Sequence, residues 1–423
     1  MTQTNRTSAA DVRETVLGLC APGRSRAVLI EGAPGLGKSD LLGRVARQAA
    51  ATGSQVLTAT GTGRPEPFGI LRQLAFSSPE LAASALLDGD AHRPAATAAA
   101  FCAALRRLAG SGPVVLCVDD IQHADPQSLE PLRYVVRYAH PAPVIVAVTT
   151  GTYGDRWAEL FTGNVLRGPH VHRVRLPLLG PDDTERALAA EGMPDGPPRA
   201  RAAARLHRLS GGNPRLLHAL LAEDAALRQP APGGPFARAV ADCLRRGGPA
   251  ALTTAHALAV LGEHPVDPTL LAALVDGGAS KALDGLAALR ACGLLDGLGR
   301  RDPAVRAATL ASCTAPGRTR LRWRAAHTLH TNGAPAVAVA APLLALPADG
   351  ARPPARTGDR HLLTHTARDL AEAGRALRER GRRADADALL RAARRLSAYA
   401  GDLHTPRVTG RAEPADRLTG VPA

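Results

Sequence analysis

Eight residues decide the fold of this chain: Gly32-Ala33-Pro34-Gly35-Leu36-Gly37-Lys38-Ser39. They match the pattern G-x-x-x-x-G-K-[ST], whose glycines let successive backbone N–H groups point inward at phosphate oxygens. The flanking sequence fits this pattern, because the apolar run Ala27–Glu31 predicts a strand and the apolar-periodic segment Asp40–Ala50 predicts a helix. The N-terminus of that helix would add its partial positive charge. The sequence therefore predicts a phosphate-binding loop between a strand and a helix.

The loop also assigns roles to its last two residues. Lys38 would lie along the β- and γ-phosphates of a bound nucleotide, and the Ser39 hydroxyl would ligate Mg²⁺. The chain has only two lysines, Lys38 and Lys281, among 52 basic residues, so a chance match to a lysine-containing pattern is rare. All eight residues of the loop are candidate nucleotide contacts, and ATP and Mg²⁺ are the implied cofactors.

A second segment supports the first. The apolar run Val114–Val118 is followed by two carboxylates, Asp119 and Asp120. A carboxylate at the C-terminal end of a parallel strand lies at the edge of the sheet where ligands bind. Asp119 is therefore a candidate Mg²⁺ ligand beside Ser39, and Asp120 is the candidate catalytic residue that would polarise an attacking water. Taken alone, the same residues could be an ordinary strand that ends in an acidic turn.

The first half of the chain alternates short β-branched runs with longer helical patterns, such as Ala98–Leu108 and Gln127–Ala139. This alternation predicts an α/β fold with a mostly parallel sheet. Five runs are predicted strands: Ala27–Glu31, Gln55–Thr60, Val114–Val118, Val144–Thr149 and Val171–Leu176. Beyond the Pro/Gly-rich linker 229–235, the patterns are helical.

Composition excludes several classes of protein. The 423 residues carry a net charge of +14, but the charge is spread along the chain, so it permits polyanion binding without establishing it. The N-terminus has no continuous apolar segment typical of a secretion signal. The apolar stretch 334–348 is interrupted by prolines and is too short to span a bilayer. The six cysteines show no metal-ligand spacing, which predicts reduced thiols, a cytoplasmic location and no membrane partner.

The motifs resemble those of a known family. The loop Gly32–Ser39 and the segment Val118–Leu129 look like the ATPase module of large ATP-binding regulators of the LuxR type, which are signal-transduction ATPases with numerous domains (STAND class). Two further segments, Arg64–Leu71 and Leu209–Leu217, resemble the family's segment after the second strand and the G-N-P turn of its helical lid. The resemblance implies that Pro214 lies against the nucleotide and couples its state to the position of the lid.

The resemblance also implies a domain order. It predicts a P-loop ATPase core at 1–180, a helical lid at 181–228, a winged-helix-like region at 236–300, TPR-like helical hairpins at 301–400 and a disordered tail at 401–423. The family often ends in a helix-turn-helix, and no such signature is visible at this C-terminus. The counterpart of the family's Gly-Arg-Glu segment near the adenine is Asp11-Val12-Arg13-Glu14. Gly151 lies near the position where the family carries a sensor arginine, with Arg156 as a substitute.

These features lead to three hypotheses. The first is an ATP-binding switch related to transcriptional regulators, in which slow hydrolysis is the reset and the partner is DNA, a DNA-binding protein or a second copy that associates with ATP. The second is a scaffold that binds nucleotide, has lost hydrolysis and acts through protein partners. The third is a phosphoryl-transfer enzyme, against which stands the absence of a recognisable substrate constellation in the sequence.

Overall fold

The computed structural model describes residues 8–21, 26–64, 66–82, 94–151, 170–224, 228–262, 264, 268–296, 302–346 and 357–402. The chain divides into two compact units, Met1–Cys313 and Thr314–Ala423. Within the described residues, no helix combines the length and apolar character needed to cross a membrane.

The first unit is built on a parallel five-stranded sheet. Its strands are β1 (Ala27–Glu31), β2 (Gln55–Thr60), β3 (Val114–Asp119), β4 (Val144–Thr150) and β5 (Val171–Arg175). They lie in the order β2-β3-β4-β1-β5, and every neighbouring pair is parallel. The predicted parallel sheet is thus confirmed. The three inner strands read as continuous apolar runs because both of their faces are covered, whereas β2 and β5 at the edges are partly exposed.

Helices before and between the strands cover the sheet. They are Ala9–Leu19, Lys38–Ala51, Gly69–Phe76, Pro79–Ala82, Pro94–Leu108 and Pro126–Tyr138, with a 3₁₀ turn at Ile121–His123. Side chains such as Leu57, Phe101 and Leu116 form the core and are almost completely buried, with exposures of 0%, 1% and 0%. This core fixes the ends of the strands, and hence the loops that follow them, in a rigid frame.

One buried carboxylate joins two of the segments singled out in the sequence. Asp125, which is the N-cap of the helix Pro126–Tyr138, accepts hydrogen bonds from the backbone N–H of Phe68 at 2.8 Å and of Ile70 at 3.3 Å. Its own helix satisfies it further, because the Ser128 hydroxyl donates to it at 2.6 Å. Phe68 and Ile70, in the segment singled out in the sequence, are therefore held against the residues that follow β3.

The rest of the first unit is helical. Helices Pro181–Ala190, Pro197–Ser210 and Pro214–Ala222 form the region predicted as a lid, and Pro235–Arg246, Gly248–Leu261, Pro268–Leu274, Gly278–Ala291 and Pro303–Ser312 follow. Glu223 holds the linker in place, because its carboxylate accepts hydrogen bonds from the backbone N–H groups of Ala231 and Phe236. The winged-helix-like region predicted at 236–300 has no strand at residues 293–296, and residues 297–301 lie outside the described residues. The winged-helix assignment stays a prediction.

The second unit consists of helices Ala315–Thr331, Ala336–Leu344, Thr357–Glu379 and Arg383–Asp402. The last two pack against each other, and the side chains Leu363, Leu370 and Leu396 are buried within this unit. The predicted helical character of this region is confirmed. Residues 403–423, which make up most of the predicted tail, lie outside the described residues, as does Arg156.

Candidate phosphate-binding site

The phosphate loop leaves the C-terminal end of β1 and leads into the helix Lys38–Ala51. Two of its glycines adopt the left-handed conformation, Gly35 with φ +86° and Gly37 with φ +84°. A residue with a Cβ atom would be strained at both positions. Gly35 is also crowded, because a Cβ atom there would lie 2.5 Å from Oδ1 of Asn213. The sequence therefore needs glycine here for its backbone conformation and for a close contact with another segment.

Lys38 is the first residue of that helix and is only 9% exposed. Its Nζ donates hydrogen bonds to the carbonyl oxygens of Gly32 at 2.9 Å and of Ala33 at 3.3 Å. Burial lowers the pKa of the Lys38 ammonium, while the nearby carboxylates of Asp120 and Asp119 act in the opposite direction. The loop thus surrounds a desolvated positive charge, which is the feature that a phosphate group would complement.

The two predicted carboxylates lie at the end of β3, beside the end of β4. The Thr149 hydroxyl on β4 donates a hydrogen bond to Oδ1 of Asp119 and accepts one from the backbone N–H of Asp120 at 2.8 Å. Asp120 has the left-handed backbone conformation, with φ +48°. Its Oδ1 accepts a hydrogen bond from the Gln122 side chain at 3.0 Å. The neighbouring strand β4 therefore holds Asp119 in place. At Asp120 the backbone turns and no longer continues β3.

The Asn213 side chain brings the predicted lid into contact with the loop. Asn213 is completely buried, and its Nδ2 donates to the carbonyl oxygens of Pro34 at 3.0 Å and of Cys292 at 2.9 Å. Its Oδ1 accepts the backbone N–H of Arg215 at 3.0 Å, which makes Asn213 the N-cap of the helix Pro214–Ala222. One amide therefore joins the loop, the lid and the turn after the helix Gly278–Ala291.

The position of Pro214 follows from this cap. Proline is favoured at the first position of a helix, where no N–H is needed, and Pro214 holds that position. The next residue, Arg215, donates its backbone N–H to the carbonyl oxygen of Gly35 at 3.2 Å. The G-N-P turn thus lies directly against the phosphate loop. Its contact is made by Asn213 and the Arg215 backbone, and a role for Pro214 toward a nucleotide stays a prediction.

A second helix reaches the carboxylates. The helix Pro235–Arg246 places Cys243 next to the loop, with its Sγ 3.9 Å from the Pro34 carbonyl oxygen. At its end, Nη1 of the Arg246 guanidinium lies 3.9 Å from Oδ2 of Asp120. One turn earlier, Asp242 pairs with the side chain of Arg215. Charged groups from both helical regions of the first unit therefore meet at the end of the sheet.

Two more ionic side chains flank the loop. Glu31, the last residue of β1, is 3% exposed, and its carboxylate is paired with Arg173 Nε at 2.6 Å and with Arg175 Nη2 at 3.7 Å on β5. Nη2 of Arg13, on the helix Ala9–Leu19, donates to the Leu36 carbonyl oxygen at 3.4 Å. Burial lowers the pKa of Arg13, and Asp183 opposes this effect. The predicted counterpart of the Gly-Arg-Glu segment thus contacts the loop through its arginine.

The donor set fits Mg²⁺ and a polyphosphate. Ser39 is exposed at the start of the helix, and Asp119 and Asp120 supply carboxylate oxygens at the end of β3. Mg²⁺ in proteins commonly takes one or two carboxylate or hydroxyl ligands and completes its shell with water and substrate phosphates. Among the described residues, no three His, Cys, Asp or Glu side chains converge into a metal cage. The roles of Ser39 and Asp119 toward Mg²⁺ stay predictions.

Three of these side chains received no role from the sequence. Asn213 lies in the G-N-P turn, but its partners are 179 and 79 residues away along the chain. Thr149 follows an apolar run at a strand end, which is a position that can be recognised. Arg246 gives no signal of its own, because it is one of many arginines at the ends of helices. Only the tertiary structure brings it to Asp120.

A comparison with known protein families finds a match in the region that contains the phosphate loop. Residues 13–147, about a third of the chain, match the family model of the AAA ATPase domain. No curated protein matches the sequence. Among solved structures, the ORC2 protein of Aeropyrum pernix, described with ADPNP and ADP, has a TM-score of 0.43 and 18% identity, over 73% of this chain and 93% of that chain.

Two further structures are similar over much of the chain. A STAND protein with a tetratricopeptide repeat sensor from Pyrococcus horikoshii has a TM-score of 0.33 and 15% identity, over 90% of this chain and 57% of that chain. A RuvB variant from Thermotoga maritima has a TM-score of 0.34 and 16% identity, over 70% of this chain and 88% of that chain. At these TM-scores the likenesses are partial. The motif, the parallel sheet and the match to residues 13–147 together give this region a P-loop fold of the AAA ATPase type.

Proposed function

We propose that the chain is an ATP-binding switch whose nucleotide state sets the arrangement of its helical regions. The observation that carries this proposal is the buried Lys38 ammonium, which the loop holds through the carbonyl oxygens of Gly32 and Ala33. A desolvated cation at a helix N-terminus is a site for an anion. ATP supplies such an anion, with its phosphates along Gly32–Ser39.

The chain's own residues divide the work of binding. Lys38 would exchange its two carbonyl partners for oxygens of the β- and γ-phosphates. Ser39 and Asp119 would hold Mg²⁺, and the metal would offset charge on the phosphates. Asp120 would orient a water for slow hydrolysis, which resets the switch.

The lid supplies the coupling. Asn213 touches Pro34 in the loop and Cys292 in the following helical region with a single side-chain amide. A shift of the loop on nucleotide binding would therefore change the contacts of both regions at once, which is the kind of two-state element that a switch needs. By its resemblance to LuxR-type regulators, the switch would act on DNA, on a DNA-binding protein or on a second copy of itself.

One observation favours an alternative without hydrolysis. The end of β4 reads Thr149-Thr150-Gly151, where a sensor arginine is expected, and the Gly151 N–H donates to the Gln122 side chain. An arginine at such a position stabilises charge on the transferring phosphoryl group, so its loss affects hydrolysis more than binding. The alternative is a scaffold that binds ATP without turnover.

Calorimetry with ATP and Mg²⁺ tests the proposal. Lys38→Ala should weaken ATP binding at least about 100-fold, since the variant leaves the phosphates without their buried cation. The matched control is Lys281→Ala, which removes the chain's other lysine at an exposed position and should bind as the wild type does. Unchanged affinity in Lys38→Ala would refute the proposal. Equal, background-level phosphate release from the wild type and Asp120→Asn would favour the scaffold.

A further inference from the structure

A cavity of about 190 Å³ lies at the amino end of the sheet. Its wall is formed where Arg26 precedes β1, where the turn 139–143 leads into β4 and where His170 precedes β5. The phosphate loop leaves the other end of β1, so the five residues Ala27–Glu31 separate the two places by roughly 15 Å. The cavity is therefore distinct from the proposed nucleotide site.

Most of the cavity wall is apolar. Val135, Val136 and Ala139 come from the end of the helix Pro126–Tyr138 and the residue after it, and Val144 and Ile145 come from the start of β4. All five are buried, with exposures of 6% or less. An apolar cavity of about 150 Å³ can take up benzene, so this volume suits a ligand with one ring or a short aliphatic chain.

The polar side chains of the wall favour an anion. Arg26, His140 and His170 line the cavity, and no acidic side chain lines it among the described residues. The Nε atom of Arg26 is buried and has no hydrogen-bond partner in the part of the chain that the structure describes. A buried guanidinium N–H without an acceptor is unfavourable, and folded proteins rarely leave one. The wall therefore offers a donor that an anionic ligand would satisfy.

The neighbouring strands hold the backbone of Arg26 in place. Its N–H donates to the His170 carbonyl oxygen at 2.7 Å, and its carbonyl oxygen accepts the N–H of Val146 at 3.0 Å. Arg26 is thus fixed between β5 and β4, so the backbone needs no rearrangement to present the guanidinium to a ligand.

We propose that this cavity binds a small organic carboxylate, with its apolar part against Val135, Val136 and Ile145 and its carboxylate on Arg26. The two oxygens of a carboxylate can accept N–H groups of one guanidinium in pairs. An inorganic anion would satisfy the guanidinium and leave the apolar wall uncovered. A neutral apolar molecule would cover the wall and leave Nε unpaired. A carboxylate that carries a ring or a short chain meets both requirements.

A ligand-observed NMR titration of the full chain tests the proposal with two carboxylate probes, benzoate and hexanoate, and with benzyl alcohol as a neutral probe similar in shape to benzoate. At least one of the carboxylates should bind with a Kd of about 1 mM or lower, which is a modest affinity for a ligand of this size. Benzyl alcohol should bind at least about tenfold more weakly than that carboxylate, because it has no charge to pair with Arg26.

A matched pair of variants locates the binding. Arg26→Met keeps a long side chain without its charge and should weaken carboxylate binding at least about tenfold. Arg137→Met is the control, because Arg137 lies on the helix Pro126–Tyr138, is exposed and packs over the Tyr138 ring, and it does not line the cavity. This variant should bind the carboxylate as the wild type does.

The outcomes separate this site from the proposed function. If neither carboxylate binds at up to about 10 mM, or if Arg26→Met binds as tightly as the wild type, the carboxylate site is refuted. Lys38→Ala should leave carboxylate binding unchanged, and a loss there would place the anion in the phosphate loop and overturn the cavity site. If Arg26→Met does not fold, equal affinities of the wild type for the carboxylates and benzyl alcohol overturn the proposal. Failure of ATP to bind would refute the nucleotide site alone.

Discussion

The Asn213 side chain makes the most connections of any group around the loop, so its removal should be measurable as lost stability. Asn213→Ala deletes the two hydrogen bonds to the carbonyl oxygens of Pro34 and Cys292 and the N-cap of the helix Pro214–Ala222. Each buried hydrogen bond contributes about 1 kcal/mol and the cap contributes about 1 kcal/mol. The free energy of unfolding should therefore fall by about 3 kcal/mol.

Two other substitutions at this position separate the contributions. Asn213→Ser keeps an oxygen that can cap the helix and loses the bridge to the two carbonyls, so about 2 kcal/mol should be lost. Asn213→Asp also keeps the cap, but it turns an acceptor toward the carbonyl oxygens of Pro34 and Cys292. This variant should be at least as destabilised as Asn213→Ala, because a buried carboxylate would face two oxygen atoms.

The assay is urea unfolding of the full chain followed by far-UV circular dichroism, with hydrogen exchange of the Arg215 amide as a local readout. That amide donates to the Gly35 carbonyl oxygen and to Asn213 Oδ1, so its protection should fall most in Asn213→Ala, which removes both the bridge to the loop and the cap. A loss of less than about 1 kcal/mol in Asn213→Ala, or equal stability of the Asp and Asn proteins, would refute the bridge as a stabilising contact.

Two more predictions follow from the same surroundings. Gly35→Ala should lower the free energy of unfolding in urea by about 1–3 kcal/mol more than Gly53→Ala does. Both glycines have a positive φ, but a Cβ atom at Gly35 would press against Asn213, whereas a Cβ atom at Gly53 would meet open space. Equal losses would contradict this contact. At pH 9 a thiol reagent should label the half-buried Cys313 first, and it should label Cys20 and Cys117 only on unfolding. Burial raises the pKa of the Cys20 and Cys117 thiols to about 12 and keeps them protonated in the folded chain. Rapid labelling of all six thiols in the native protein would contradict this prediction.

The thiols also give a direction for stability at high pH. Burial raises the pKa of the Cys20 and Cys117 thiols to about 12 in the folded chain, so the folded state holds its thiol protons more tightly than the unfolded state does. Their contribution to stability is complete below pH 9 and declines as the pH rises toward 12.

The sheet could be predicted from the sequence because buried parallel strands leave a plain pattern. Val114–Val118 is continuously apolar, and the strand extends by one residue to Asp119, where the first polar side chain meets Thr149. The loop could be predicted because its glycines and lysine serve a local backbone geometry. Such local requirements are visible in a few consecutive residues.

The remaining parts of the site depend on contacts that sequence patterns do not record. Asn213 follows a pattern typical of a helix start, and that pattern says nothing about Pro34 or Cys292 as its partners. Arg246 and Arg13 are hidden for another reason. Fifty of the 52 basic residues are arginines, so an arginine near a helix end gives little information by itself. How its helix packs has to be known first.

The lysine at position 38 is different, and its surroundings explain why. A guanidinium has five N–H donors in a rigid plane, and at a position only 9% exposed each donor would need an acceptor. The loop offers Lys38 the carbonyl oxygens of Gly32 and Ala33, which suit a compact ammonium that rotates freely. In the proposed nucleotide site, the same ammonium would turn from these carbonyls to phosphate oxygens. The buried position therefore suits a lysine better than an arginine, although the chain uses arginine for 50 of its 52 basic residues.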